Sequence, residues 1–228
     1  MGSLGIVTND PSPYSVHFHL TGFGRFHRVS QNPTEFLVKQ FVSFCEERRG
    51  LHEAARVVTT TVATTSVKGA QQALDEVYGK LHRDKSVRNV IIHCGVDASA
   101  NCFRLEERAY NEASFSCPDE SGWQPKVVPI DDTKPVDSFL VTSINIRQAV
   151  EELEKKGFHV KSSEDAGRFL CNWIYYQSLT RAQCEFSVKV VFVHFPPIQD
   201  SQEIQSYCEF LLQLLNVITT HELSSIDE

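Results

Sequence analysis

Ser162-Ser163-Glu164-Asp165-Ala166-Gly167-Arg168-Phe169-Leu170-Cys171-Asn172-Trp173-Ile174-Tyr175-Tyr176 is the stretch on which the reading of this chain turns. Its opening predicts a helix, with Ser162, Ser163 or Asp165 as the cap and an acid in the first turn. After Gly167 it is apolar nearly all round, which predicts a buried helix. A cysteine early in such a helix is either inert packing or a nucleophile, and this stretch alone leaves both open.

Working outward, short apolar or β-branched runs alternate with helical patterns. Ser15–Leu20 (SVHFHL), Arg56–Thr65 (RVVTTTVATT), Arg88–His93 (RNVIIH), Phe158–Lys161 and Ser187–His194 (SVKVVFVH) read as strands. Between them, Asn32-Pro33 starts a helix to about Glu47, Ser66 caps one through Leu81, Ile144–Lys156 forms one that Gly157 stops, and Ser201–Ile218 closes the series. Residues 101–117 fit strand or helix equally, and 117–137 are turn-rich. Strands alternating with helices predict an α/β fold: a three-layer α/β/α sandwich with a mixed, mostly parallel central sheet and helices on both faces. The expected division is a leader over 1–14, a single domain over 15–220 and a polar tail over 221–228.

Composition narrows the function classes. A formal charge of −7 supplies no basic field for nucleic acid or anionic lipid, so neither is expected as a partner. No apolar run is long enough to span a bilayer, and Met1–Asp10 lacks the charged and apolar regions of a signal peptide. Ile6 spoils a myristoylation match. Seven cysteines without a CxxC pair point to reduced thiols and a cytoplasmic location rather than a disulfide scaffold.

His194 falls at the carboxyl end of a central strand, where α/β enzymes keep catalytic groups, although a lone histidine there also serves as packing. An imidazole beside Cys171 would turn a weak thiol nucleophile into a thiolate, and a carboxylate on the far ring nitrogen would fix the tautomer. Periodicity cannot choose that carboxylate among 29. Gly22 and Gly24 do not complete a dinucleotide fingerprint. His17, His19 and His27 lack an acid or cysteine to complete a metal set, so no metal and no cofactor are expected.

Four separated segments, in order, resemble one family: TGFGRF (21–26) with Asn32-Pro33, HCGV (93–96) with Leu105-Glu106 and Asn111, EDAGRFLCN (164–172), and FVHFPP (192–197). Together they look like pyroglutamyl-peptidase I, the cysteine-type pyrrolidone-carboxylate peptidase, over about Val16–Phe210. The turn-rich Cys117-Pro118-Asp119-Glu120…Gly122-Trp123…Pro125 is most similar to plant-type members. The resemblance implies Cys171 as nucleophile, His194 as general base and acid, and Glu106 as the carboxylate orienting the histidine. It implies Phe23, Phe26 and Phe169 as walls around a pyroglutamyl ring, with Val96 as a further pocket residue. Arg168 lies inside the nucleophile motif where bacterial members vary, and it inherits no catalytic role. The implied substrates are peptides with an N-terminal pyroglutamate, cleaved through an acyl-enzyme without metal or cofactor. Relatives range from monomer to homotetramer, and the sequence does not choose.

Departures from the bacterial pattern keep two alternatives in view. Arg25 replaces a proline, His27-Arg28 replace two glycines, and Ser116 stands where bacterial members carry an arginine. A thiol amidohydrolase acting on another lactam, or a catalytically silent binding protein of the same fold, would share the same motifs.

Overall fold

The computed structural model describes residues 14–26, 32–185, 187–198 and 203–225. Its centre is a six-stranded sheet built from β1 (Ser15–Phe23), β2 (Ala55–Ala63), β3 (Val87–Val96), β4 (Phe103–Glu106), β7 (Val160–Ser163) and β8 (Val188–Phe195), in the order β2-β1-β3-β8-β4-β7. Pairings β2/β1, β1/β3, β3/β8 and β4/β7 are parallel, and β4 runs antiparallel to β8. The sheet is therefore mixed and mostly parallel. A separate two-stranded antiparallel sheet pairs β5 (Arg108–Tyr110) with β6 (Phe139–Val141).

Among the described residues five helices cover it: α1 (Pro33–Arg48), α2 (Val67–Gly79), α3 (Ile146–Lys155), α4 (Leu170–Ala182) and α5 (Glu203–Ser224). Helices α1, α3 and α5 share one core with Val16, Phe18 and Leu20 of β1, Val90, Ile92 and Cys94 of β3, and Val191, Val193 and Phe195 of β8. Helices α2 and α4 pack on the opposite face around Ile91, Val190 and Phe192. Successive side chains of a strand point to opposite faces, so each central strand feeds both cores.

The predicted caps of α1 and α2 form. Asn32 accepts the Thr34 N–H at 3.1 Å with Pro33 in the first turn, and Ser66 Oγ accepts from Gly69 at 3.0 Å. The helix expected over 162–176 divides instead. Ser162 and Ser163 end β7, pairing with Leu105 and Glu106 of β4. Residues 164–169 form a loop in which Gly167 takes φ +78°, a left-handed conformation that costs glycine little. The helix proper begins at Leu170. The C-terminal helix also outruns its expected end: it continues to Ser224, where Glu222 is buried and its carboxylate accepts from Lys189 at 2.7 Å. The ambiguous 101–117 segment supplies β4 and β5.

Candidate active site

Three elements bring Cys171, His194 and Glu106 together. His194, the last residue but one of β8, lies beside Gly95 of β3 and opposite Arg104 of β4. Glu106, at the end of β4, is fully buried, and its Oε1 accepts a hydrogen bond from His194 Nδ1 at 2.8 Å. That leaves the other ring nitrogen for Cys171, whose sulfur acts electrostatically on His194. The nucleophile's helix also fixes the acid's backbone: Tyr175 Oη, one turn beyond Cys171, donates to the Glu106 carbonyl at 2.8 Å.

Gly95 lets these elements close up. A Cβ added there would stand 2.6 Å from the Phe192 ring and 3.0 Å from Cys171 Sγ, so backbone must run where other residues carry a side chain. The Phe192 ring lies 4.7 Å from the His194 ring, centroid to centroid, and packs one side of the imidazole.

His194 is only 6% exposed. Burial opposes a charged ring, but the Cys171 sulfur and the Glu106 carboxylate together outweigh it and raise the pKa to about 10. At neutral pH the proton stays on the imidazole. Asp97, in the loop after β3, is held below the usual carboxylate range. Burial works the other way there, but hydrogen bonds from Ser99 and the Arg104 guanidinium at 2.6 Å prevail.

Cys171 opens into a cavity of about 410 Å³. Four residues expected there from the sequence, Phe23, Phe26, Phe169 and Val96, line it together with Cys171. Phe26 and Phe169 face each other with centroids 5.0 Å apart, and Phe115 backs Phe169 at 4.6 Å. Glu106 and His194 stand behind the sulfur rather than in the wall. Of the loop departures, Arg25 is exposed beside the cavity residues, whereas His27 and Arg28 lie outside the described residues. Ser116, at the position of the bacterial arginine, does line the cavity.

The sequence reading missed Asn32, Thr65, Cys117 and Leu170, which also line it with Ala98. Two of these hold the phenylalanines in place. Asn32 Nδ2 donates to the Gly24 carbonyl at 3.2 Å, and Thr65 Oγ1 donates to the Gly24 and Arg25 carbonyls at 3.0 and 3.2 Å. Both carried a visible signal, since Asn32 is a cap and Thr65 precedes one, but that signal speaks of helix starts and not of a pocket.

The first turn of α4 adds an electrostatic element. Phe169 occupies the N-cap without a side-chain hydrogen bond, so the N–H groups of Leu170 and Cys171 are unblocked at the positive end of the helix. A buried imidazolium, a thiol on its far side, an orienting carboxylate and unblocked N–H groups make up an acyl-transfer site.

Comparison with known proteins agrees. The curated pyrrolidone-carboxylate peptidase of Thermococcus litoralis is 28% identical over 182 residues, covering 79% of this chain and 76% of that one. The Pyrococcus furiosus enzyme of the same name is 25% identical over 182 residues, covering 79% and 81%. In fold, the chain superposes on pyrrolidone carboxyl peptidase from Fervidobacterium islandicum with a TM-score of 0.71 at 24% identity, covering 90% of this chain and 96% of that one. The Thermus thermophilus structure gives 0.68 at 20% identity, covering 89% and 99%. Residues 16–209 match the pyroglutamyl peptidase family throughout, and the chain belongs to that family.

Proposed function

We propose that Cys171, His194 and Glu106 carry the activity of this family in this chain: thiol-dependent hydrolysis of the amide bond after an N-terminal pyroglutamyl residue. The observation that carries this assignment is the buried His194, bonded to Glu106 at 2.8 Å and held charged by its neighbour Cys171, which opens into an aromatic cavity.

Chemistry follows from the placement. The Cys171 thiolate, paired with the His194 imidazolium, attacks the carbonyl carbon joining pyroglutamate to the next residue. The oxygen that becomes anionic is received by N–H groups at the start of α4. His194 gives its proton to the leaving amine, the C–N bond breaks, and a pyroglutamyl thioester remains. A water then gives its proton back to His194 and its oxygen to the thioester carbon, which releases pyroglutamate and the thiolate. Glu106 keeps Nδ1 protonated, so that the other nitrogen always faces the sulfur.

The cavity explains the substrate class. A pyroglutamyl end is a flat, uncharged lactam, which phenylalanine walls accommodate. A free terminal ammonium would be desolvated there at a cost of roughly 3–4 kcal/mol, several hundred-fold in kcat/KM against glutaminyl peptides. Seven free thiols suit a reducing compartment, so we place the protein in the cytoplasm. Among the described residues no helix is long and apolar enough to cross a membrane.

The test is turnover of a pyroglutamyl fluorogenic amide by the purified protein and by Cys171→Ser. The expected result is thiol-dependent release that falls by about 10⁴-fold or more in the variant. No turnover by wild type, or equal turnover by Cys171→Ser, overturns the assignment. A different lactam far outrunning the pyroglutamyl amide would move it to another amide substrate.

A further inference from the structure

Helices α1, α2 and α3 begin with a side-chain cap, from Asn32, Ser66 and Asn145. Helix α4, which carries Cys171, does not. A cap satisfies the same first-turn N–H groups that an oxyanion would use, so a catalytic helix start has to be held from outside.

The residues flanking the nucleophile supply that hold, and both grip the same segment of chain. On one side Asn172 accepts from the Tyr110 N–H at 2.8 Å and donates to the Tyr110 and Glu112 carbonyls, each at 2.9 Å. On the other side the Arg168 guanidinium lies 4.0 Å from the Tyr110 ring centroid. Its Nε donates to Glu112 at 3.2 Å, and its Nη1 donates to Asp165 at 2.6 Å and to the Gly167 carbonyl at 2.7 Å. Its own carbonyl accepts from Ser114 at 3.0 Å. The five residues 168–172 are thus stapled at both ends to 110–114, with Phe169 and Cys171 between the staples.

We propose that Arg168 is a positioning residue for the reaction: stacked on Tyr110 and paired with Glu112 and Asp165, it anchors the uncapped start of α4 from outside and sets Phe169, Cys171 and the oxyanion-facing N–H groups in register with His194. This rests on the pyroglutamyl-peptidase reading of Cys171. Lysine cannot reproduce the role, because only a planar guanidinium both stacks on a ring and pairs with two carboxylates. Arg168 is 26% exposed along its side chain, so its contribution to folding is screened by water, and its effect falls on placement.

The experiment compares wild type, Arg168→Met and Arg168→Lys. Its readouts are kcat and KM on a pyroglutamyl amide, affinity for pyroglutaminal (the aldehyde that adds Cys171 sulfur to its carbonyl carbon), affinity for 2-pyrrolidone (the ring alone), and melting temperature. Arg168→Met is expected to lose roughly 10- to 100-fold in kcat, the scale of a sub-ångström misplacement, and to lose aldehyde affinity by a similar factor. Ring affinity should change several-fold less, melting should stay near wild type, and Arg168→Lys should recover only part of the loss. Wild-type kcat/KM in Arg168→Met overturns the proposal. So does a kcat loss that leaves aldehyde affinity intact, or one explained entirely by a fall in melting temperature. If wild type itself fails to cleave the pyroglutamyl amide, the proposed function falls and the clamp is judged on Cys171 alone. Iodoacetamide alkylation, followed by mass, should then be several-fold slower in Arg168→Met, and an unchanged rate overturns the clamp too.

Discussion

The two faces of the central sheet are made by alternate residues of the same strands and differ in how much polarity they bury. Toward α1, α3 and α5, β1 shows Val16, Phe18 and Leu20, and β3 shows Val90, Ile92 and Cys94, all fully buried. Toward α2 and α4 the intervening residues include His19 and Thr21 on β1, Thr59 on β2, Asn89 and His93 on β3, and His194 on β8. These polar groups are tolerated because they bond one another across strands: His19 to Thr59 at 3.1 Å and Asn89 at 3.3 Å, and Thr21 to His93 at 2.7 Å. The first face is apolar at these positions, whereas the second sets a polar network and the His194 charge into a core that Ile91, Val190 and Phe192 still hold together. The histidines of the polar face divide again. Burial pushes His19 down to about 4 and His93 to about 3, so both are neutral. His194, equally enclosed, is carried up to about 10 by its thiol and carboxylate neighbours.

The sharpest way to break this contrast is Glu106→Gln. The amide keeps the shape but can present its N–H₂ to Nδ1, which favours the wrong tautomer; kcat/KM for the pyroglutamyl amide is expected to fall by about 10⁴-fold. Stability should respond through His194. Its folded pKa lies above the unfolded value of about 6.5, so the stabilisation is fully present below pH 6.5 and is lost as pH rises toward about 10. His19 and His93 act in the opposite sense: their depressed values give stability present above pH 6.5 that is lost as pH falls through about 4 and 3. Urea midpoints from pH 3 to 10 should therefore decline on both sides in wild type. In Glu106→Gln the alkaline decline should flatten in part, since the Cys171 sulfur is the larger of the two causes, while the acid one stays. An unchanged alkaline limb would show that Glu106 does not hold the charge on His194.

Next in size is a substitution on the apolar face. Phe210 of α5 stacks on Phe103 with centroids 3.8 Å apart and meets Phe158 and Phe195 edge-on at 5.4 and 6.0 Å. Phe210→Ala is expected to cost about 3–5 kcal/mol of folding stability. Under conditions where it remains folded, kcat/KM should stay within a few-fold of wild type. A large kinetic loss with unchanged stability would mean that the two faces are coupled, and that the division of labour between them is false.

How much of this was legible in the sequence follows the same division. The apolar strands and the capped helices announced themselves because their signals are local: alternation in SVHFHL, Asn32 before Pro33, Ser66 before an apolar period. Where tertiary partners decide, the local signal misled. Ser162 and Ser163 look like caps, yet β4 recruits them as a strand end, and Gly167 turns the chain before the helix starts. The helical run past Ile218 was illegible because Glu222 reads as a surface acid until Lys189 is seen beside it. Cysteine, histidine and glutamate lie far apart in sequence, and periodicity carries no information on which carboxylate meets His194. Only the motif resemblance selected Glu106, where the fold then places a 2.8 Å hydrogen bond. Asn32 and Thr65 were missed as pocket supports because a cap signal ends at the helix it starts.

The smallest effect tests the contrast within the polar face, where α2 and α4 pack side by side. Ser66 Oγ accepts from Gly69 at 3.0 Å and completes the first turn of α2, while the first turn of α4 has no such acceptor. Ser66→Ala removes a cap that touches no reacting group, so it should cost about 1 kcal/mol in a urea midpoint. Because the α2 start holds no reacting N–H group, kcat and KM should both be unchanged. A loss in kcat from Ser66→Ala would mean that the α2 start feeds into the site through Thr65 and the Gly24–Arg25 carbonyls it grips. The unchanged result would leave α4 as the helix whose start serves the reaction and α2 as the one whose start serves only the fold.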